Sequence, residues 1–280
     1  MIQPILRDEA FLEDVRAVRR AKDAALHLWW LGQSGFLVIH GGACLLLDPY
    51  LSDSLTKKYA LTDKPHLRMT ERVVAPEKLD FIDVVTSSHN HTDHLDAETL
   101  LPLRAANPTL RMIIPEANRA FVAERLGTDP AWPVGLNDGE SADCAGFAFA
   151  AVPSAHETVE RDEYGRCRFL GYVVRTGRWS IYHSGDTMLY EGMAERLRPF
   201  AVDLALLPIN GARAERRVAG NLDGREAARL AHDAGAKLVV PCHYEMFEFN
   251  TAAPDEFIAE AERLRQPCRV LRAGERLDLA

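Results

Sequence analysis

The sequence predicts an α/β fold in which a strand-rich first part is followed by alternating strands and helices. Three observations carry this. Short apolar runs rich in Val, Ile, Leu and Phe, closed by Gly, Pro or Asp, recur along the chain. Between the later runs lie longer stretches with apolar side chains at helical spacing. Finally, five runs are followed at once by a His or Asp, at Asp48, His89, His156, Asp186 and His243. Strand ends are where α/β folds gather ligands, so five of them carrying metal-capable groups point to one shared site.

The elements follow in order. Residues 8–25 read as a surface helix, with Phe11, Leu12, Val15 and Val18 at helical spacing among charges. Strands are predicted over 27–31, 36–40 and 44–47, separated by Gly32, Gly35 and the Gly41-Gly42 turn, the last ending in Asp48-Pro49. Residues 50–79 are polar and read as a long loop with some helix, a length often used for lids. A strand over 81–86 leads into Ser87-Ser88-His89. Asp96 caps a helix to about Ala106, and a strand over 111–114 precedes a helix over 116–126. Further strands are predicted over 147–152, 170–175, 180–183, 204–208 and 237–241, with a helix capped by Asp223 before the last of these. A helix over 254–264 and a short strand close the chain. No composition break marks a linker, so residues 1–280 read as one domain with 1–25 as an N-terminal helical extension.

Composition bounds the function. A chain of 280 residues can bury a sizeable core, and 47% hydrophobic with 26% charged residues is typical of folded globular proteins. The net charge of −8 argues against a basic face built to grip nucleic acid. The first twenty residues are interrupted by acids and lack an apolar core segment, so no secretory signal is expected. No apolar run reaches the roughly 18 residues of a membrane span. Five cysteines, an odd number without a CxxC pair, suit a reduced, cytoplasmic setting. A homo-oligomer is left open.

The chemistry is concentrated in His89-Asn90-His91-Thr92-Asp93-His94, which packs three imidazoles and a carboxylate into six residues. Neutral imidazole and carboxylate are the usual ligands of zinc and similar divalent ions. A tight turn after a strand would aim His89 and His91 at one ion, and Asp93 and His94 at a neighbour. Asp186 is the natural group to span two cations, since a carboxylate has two oxygens. His27, His40, His66 and His232 lack such context and read as structural or surface residues; Trp29 and Trp30 read as core and rim packing.

These residues carry a resemblance. His89 to His94 is similar to the HxHxDH signature of the metallo-β-lactamase superfamily, and the rest of that pattern follows in order over about residues 27–245. Asp48 resembles its early aspartate, His156 in Val152-Pro153-Ser154-Ala155-His156 the third histidine of the first ion, Asp186 the bridging aspartate, and His243 in Pro241-Cys242-His243-Tyr244 the last histidine of the second ion. Trp29-Trp30-Leu31-Gly32 and Tyr182-His183-Ser184-Gly185-Asp186 look most like the ascorbate-6-phosphate lactonase-like branch, while the full ligand set also resembles phosphodiesterase-type members.

The resemblance implies a four-layer αββα sandwich and a hydrolase with two divalent ions. His89, His91 and His156 would hold the first, Asp93, His94 and His243 the second, with Asp186 bridging and Asp48 supporting. Zinc is the first choice for an imidazole-rich set, with manganese and iron as alternatives. Two ions a few ångströms apart can share a water and lower its pKa from about 16 toward neutrality, and the bridging hydroxide would attack a carbonyl carbon or phosphorus. Asp93 is expected to orient it or accept its proton. His183 is expected to protonate a leaving group or hold substrate, with core packing as the alternative.

The expected substrate is a small molecule, a lactone or phosphoester. Cations cluster over 57–72, 161–168 and 213–217, which favours an anion if they ring the cleft; the acidic neighbours Asp162, Glu163 and Glu215 tip the balance slightly toward solvated loops. Three other readings compete: a nucleic-acid-processing phosphodiesterase, disfavoured by the acidic charge; a di-iron redox protein, disfavoured by His91 where a carboxylate is typical; and a non-catalytic metal-binding protein, disfavoured by the complete ligand set.

Overall fold

A computed structural model describes residues 1–216 and 220–280. In chain order it contains α1 (Asp8–Ala21), β1 (Leu26–Gly32), β2 (Gly35–His40), β3 (Ala43–Leu47), α2 (Ser54–Tyr59), β4 (Val84–Thr86), α3 (Ala97–Ala106), β5 (Arg111–Pro115), α4 (Arg119–Leu126), β6 (Val134–Leu136) and β7 (Ser141–Cys144). Then follow β8 (Phe147–Pro153), β9 (Leu170–Thr176), β10 (Trp179–His183), α5 (Met193–Leu197), β11 (Leu204–Pro208), α6 (Gly224–Ala234), β12 (Leu238–Cys242), α7 (Asp255–Leu264) and β13 (Arg276–Leu279).

The strands form two sheets. One runs β13-β1-β2-β3-β4-β5-β6 and the other β12-β11-β10-β9-β8-β7. The side-chain period of two explains the layering. In β1, Leu28 and Trp30 face the other sheet, sharing a core with Phe149, Tyr172 and Ile181, while Trp29 and Leu31 pack with Phe11, Leu12 and Val15 of α1. β2 and β3 alternate likewise, with Phe36, Val38, Leu45 and Leu47 toward the sheet-to-sheet core and Leu37, Ile39, Cys44 and Leu46 toward the helices. Leu100 and Leu103 of α3 and Val122 and Leu126 of α4 complete that outer layer. Met193 of α5, Leu230 of α6 and Phe257 of α7 belong to the core of the second sheet. The result is the αββα sandwich.

Strand direction positions the site. β1 and β3 are both antiparallel to β2, and β4 is parallel to β3, so the carboxyl ends of β1, β3 and β4 share one edge. In the second sheet, β8 and β10 are both antiparallel to β9, and β10, β11 and β12 are parallel. Gln33, Asp48, the loop after Thr86, His156, Asp186 and His243 all follow such ends.

Some elements differ from expectation. The strand expected over 81–86 begins at Val84, because the Ile82 N–H is taken by the Asn107 side chain instead of a neighbouring strand. β6 and β7 were not expected: β6 has three residues, and β7 reads Ser-Ala-Asp-Cys with mostly solvent-facing side chains. The loop over 50–79 contains α2 and one 3₁₀ turn, Pro76–Lys78. Among the described residues, no helix is long and apolar enough to cross a membrane.

Candidate metal centre

Asp48 organises the loop that carries most of the ligands. It is fully buried at the end of β3, with φ +37, and its carboxylate accepts from Thr86 Oγ1 at 2.7 Å, Ser88 N at 3.1 Å, Ser88 Oγ and His94 Nδ1 at 2.7 Å. Each bond ties β3 to the segment after β4. With Nδ1 donating to Asp48, His94 presents Nε2 to the centre. His89 is held similarly: its Nδ1 lies 3.0 Å from Ser88 Oγ. His156 Nδ1 donates to the Gly220 carbonyl at 3.1 Å, leaving Nε2 facing His91 Nδ1 at 3.1 Å. A partner on the far nitrogen fixes each ring's orientation and tautomer, the usual arrangement around a metal-binding histidine. Gly185 has φ +59, and a Cβ there would lie 2.4 Å from Ser88 Oγ, so only glycine lets Asp186 approach this loop.

Two ligand sets result. His89, His91, His156 and Asp186 bring their nitrogens and a carboxylate oxygen within 4.8 Å of one another, and Asp93, His94, Asp186 and His243 do the same. Asp186 is common to both. Its Oδ1 is 3.2 Å from His94 Nε2, and its Oδ2 is 3.5 Å from His243 Nε2. Asp48 also lies close to His89 and His94, but its oxygens are already occupied by four donors. His89 Nε2, His94 Nε2 and Asp186 Oδ1 are buried without a hydrogen-bond partner. Buried polar atoms are rarely left so, and a cation among them would satisfy all three. The donor set therefore fits a pair of divalent ions.

Electrostatics divides the two sets. Burial, then the charges of His94 and His91, holds His89 well below the usual imidazole range, and burial and His156 hold His91 down to about 4. Both present neutral lone pairs. Burial opposes protonation of His94 and His243 too, but Asp186 and Asp93 outweigh it, raising His94 well above the usual range and His243 to about 9. Burial likewise opposes ionising Asp186 and Asp93, and the imidazoles of His94 and His243 reverse that, keeping both carboxylates charged.

Of the ligands, His91, Asp93, His156, Asp186 and His243 line a cavity of about 490 Å³. Lys58, Tyr59, Lys64, His66, Phe121, Arg125, Asn221, Phe247 and Asn250 line it too. Among the described residues of the three cationic clusters, only those of the first reach it. Arg161 and Arg166 pair with Asp138 and Asp162, and Arg216 donates to the Asn210 and Thr251 carbonyls. Arg217 lies outside the described residues. Even in the first cluster, Lys57 pairs with Glu98 and Arg68 with Asp53.

All seven expected ligands are brought together. His183 is not: it is fully buried, its Nε2 donates to the Ser34 carbonyl at 2.9 Å, and its ring packs edge-on against Phe36. As the last residue of β10 it points into the sheet-to-sheet core rather than the cavity. Gln33 was missed. Its Nε2 donates to Asp93 Oδ2 at 2.8 Å and lies 2.9 Å from His243 Nε2. His66, read from sequence as a structural or surface residue, is a buried part of the wall, stacked on Tyr59 at 4.3 Å and against Phe249 at 4.6 Å.

Known proteins share this architecture. Residues 44–244 match the family model of the β-lactamase superfamily domain. A UPF0173 metal-dependent hydrolase of Caldivirga maquilingensis is 29% identical over 256 residues, covering 90% of this chain and 98% of the relative. Among solved structures, Igni18, a metallo hydrolase of Ignicoccus hospitalis, superposes with TM-score 0.67 at 23% identity over 91% of this chain and 99% of that one. A possible metal-dependent hydrolase of Veillonella parvula gives TM-score 0.72 at 15% identity, covering 92% and 100%. At these identities the structures speak for the fold alone.

Proposed function

The chain belongs to the β-lactamase superfamily, and on that premise we propose that it is a metal-dependent hydrolase acting on a small anionic molecule, with a lactone or phosphoester as the bond cleaved. One observation carries the reading: two histidine–aspartate sets share Asp186 on the floor of an open cavity. His89, His91 and His156 would hold one divalent ion, and Asp93, His94 and His243 the other, with Asp186 between them. Zinc suits so imidazole-rich a set, with manganese and iron as alternatives. When bound, the ions supply Lewis acidity, polarising the substrate oxygen and making a water-derived nucleophile available near neutral pH.

The remaining work falls to the chain. Asp93 faces the cavity, kept ionised by its imidazole neighbours and anchored at Oδ2 by Gln33. It would orient the attacking water and take its proton. Asp48 supports the centre by fixing His94. His183, turned into the core, is assigned to packing. Lys58, whose Nζ lies 3.3 Å from Thr92 Oγ1 beside the ligands, joins Lys64 and Arg125 in the lining, where the only carboxylates among the described residues are the ligands Asp93 and Asp186. In a protein of net charge −8, that local sign favours an anion. Tyr59, Phe121 and Phe247 offer apolar surface to the rest of the molecule. The five cysteines form no disulfide, which suits the proposed cytoplasmic setting.

The test is a panel of lactones and phosphodiesters, each paired with a neutral analogue and assayed with metal-reconstituted protein. Turnover of an anionic member ahead of its neutral partner, abolished by chelation, is expected. Turnover of none, or turnover insensitive to chelation, contradicts the proposal.

A further inference from the structure

We propose that Gln33 belongs to the second ion site, giving its carboxamide oxygen to the ion held by Asp93, His94, Asp186 and His243. The inference rests on the metal centre proposed above. Gln33 lies in the turn between β1 and β2, is 1% exposed, and has left-handed φ of +51. Its main chain is pinned, since its carbonyl accepts from His243 N at 2.9 Å and from the Trp30 indole at 3.0 Å. The side chain is thus delivered to the second ligand set by the same contact that fixes His243.

Its Nε2 sits 2.8 Å from Asp93 Oδ2 and 2.9 Å from His243 Nε2, two atoms that would bind the ion, while Oε1 is buried without a partner. The donor end of the amide therefore lies against two atoms that a cation would claim. Once they are given to an ion, an N–H group there would face positive charge. The two ends of a carboxamide are nearly alike in size, so a half-turn exchanges them in place. Amide oxygen is an established ligand of divalent cations. The half-turn leaves the amide N–H groups without an acceptor, a small penalty beside the attraction of a carbonyl dipole to a divalent charge.

Cobalt titration of the wild type, Gln33→Ala and Gln33→Glu tests this, because cobalt absorbs more strongly in the visible as its coordination number falls. Gln33→Ala is expected to bind the second equivalent about ten-fold or more weakly, with more intense visible bands, while the first equivalent is unchanged. Gln33→Glu, with an oxygen at the same reach, is expected to restore both the affinity and the wild-type spectrum. An Ala variant whose loaded spectrum matches the wild type overturns the proposal, whatever its affinity, because the amide is then only a hydrogen-bond donor. A Glu variant that resembles Ala also overturns it. A wild type that takes up no cobalt removes the metal centre itself, a separate failure.

Discussion

Asp93 is the residue at which structure and chemistry separate most cleanly. Asp93→Asn removes a charge but nearly preserves volume, and its amide oxygen can still accept from Gln33. Folding should survive, because the sheet-to-sheet core contains no part of this loop. The amide is a poorer ligand and cannot take a proton, so turnover should fall by about 100-fold or more, as for loss of general-base help. Melting temperature and kcat, measured on the substrate found by the panel, decide it; a normally melting variant with full activity excludes the role. At this scale the site was largely legible, because His89, His91, Asp93 and His94 share one hexapeptide and the other ligands directly follow apolar runs. Gln33 was not legible. A lone glutamine in a turn has no ligand signature, and its role exists only because that turn meets the end of β12. His183 left both of its readings open in the sequence; it ends β10 with its ring against Phe36, while the residues past that strand end reach the cavity.

Among the elements, the period of two marked the long strands. It could not mark β6 or β7, which are short edge segments whose pairing is set by their neighbours. The Asp223 cap is visible as a capping box, with Asp223 accepting from Glu226 N at 2.8 Å and Glu226 accepting from Asp223 N at 3.0 Å. Less visible is what joins α6 to α7. Glu260 of α7 accepts from Arg229 of α6 at 2.6 Å and from Arg263 at 2.8 Å. The Arg263 and Arg229 guanidiniums hold its carboxyl down to about 2, against 4.5 when unpaired. A carboxylate with a depressed folded pKa stabilises above its unfolded pKa and loses that effect as pH falls through the folded one. Thermal melts should therefore show Glu260→Gln less stable than wild type at pH 7, the difference narrowing between about pH 4.5 and 2. Equal differences at pH 7 and pH 3 would show that the clamp does not contribute as an ion pair.

For the whole molecule, the sandwich places the carboxyl ends of six strands from two sheets around one site, so the centre ties the sheets together. An ion held at 100 times its Kd stabilises by about 2.7 kcal/mol, and each kcal/mol moves the melting temperature of a domain this size by about 2–4 °C. Chelation should thus lower it by roughly 5–10 °C per such ion; no shift would mean the ligand atoms hold nothing. Sequence alone could supply the order of elements and the ligands, but not which cationic loop reaches the cavity. That depends on α2 packing Leu55 and Tyr59 against Phe247 and Phe249, nearly two hundred residues away.

The most direct test of the two-ion centre is elemental analysis of protein reconstituted with zinc and freed of excess. About two equivalents are predicted for the wild type and about one for the His89→Ala, His91→Ala double variant, which loses the first set and keeps Asp93, His94, Asp186 and His243. A wild type that retains no metal, or a double variant with undiminished content, would contradict the assignment.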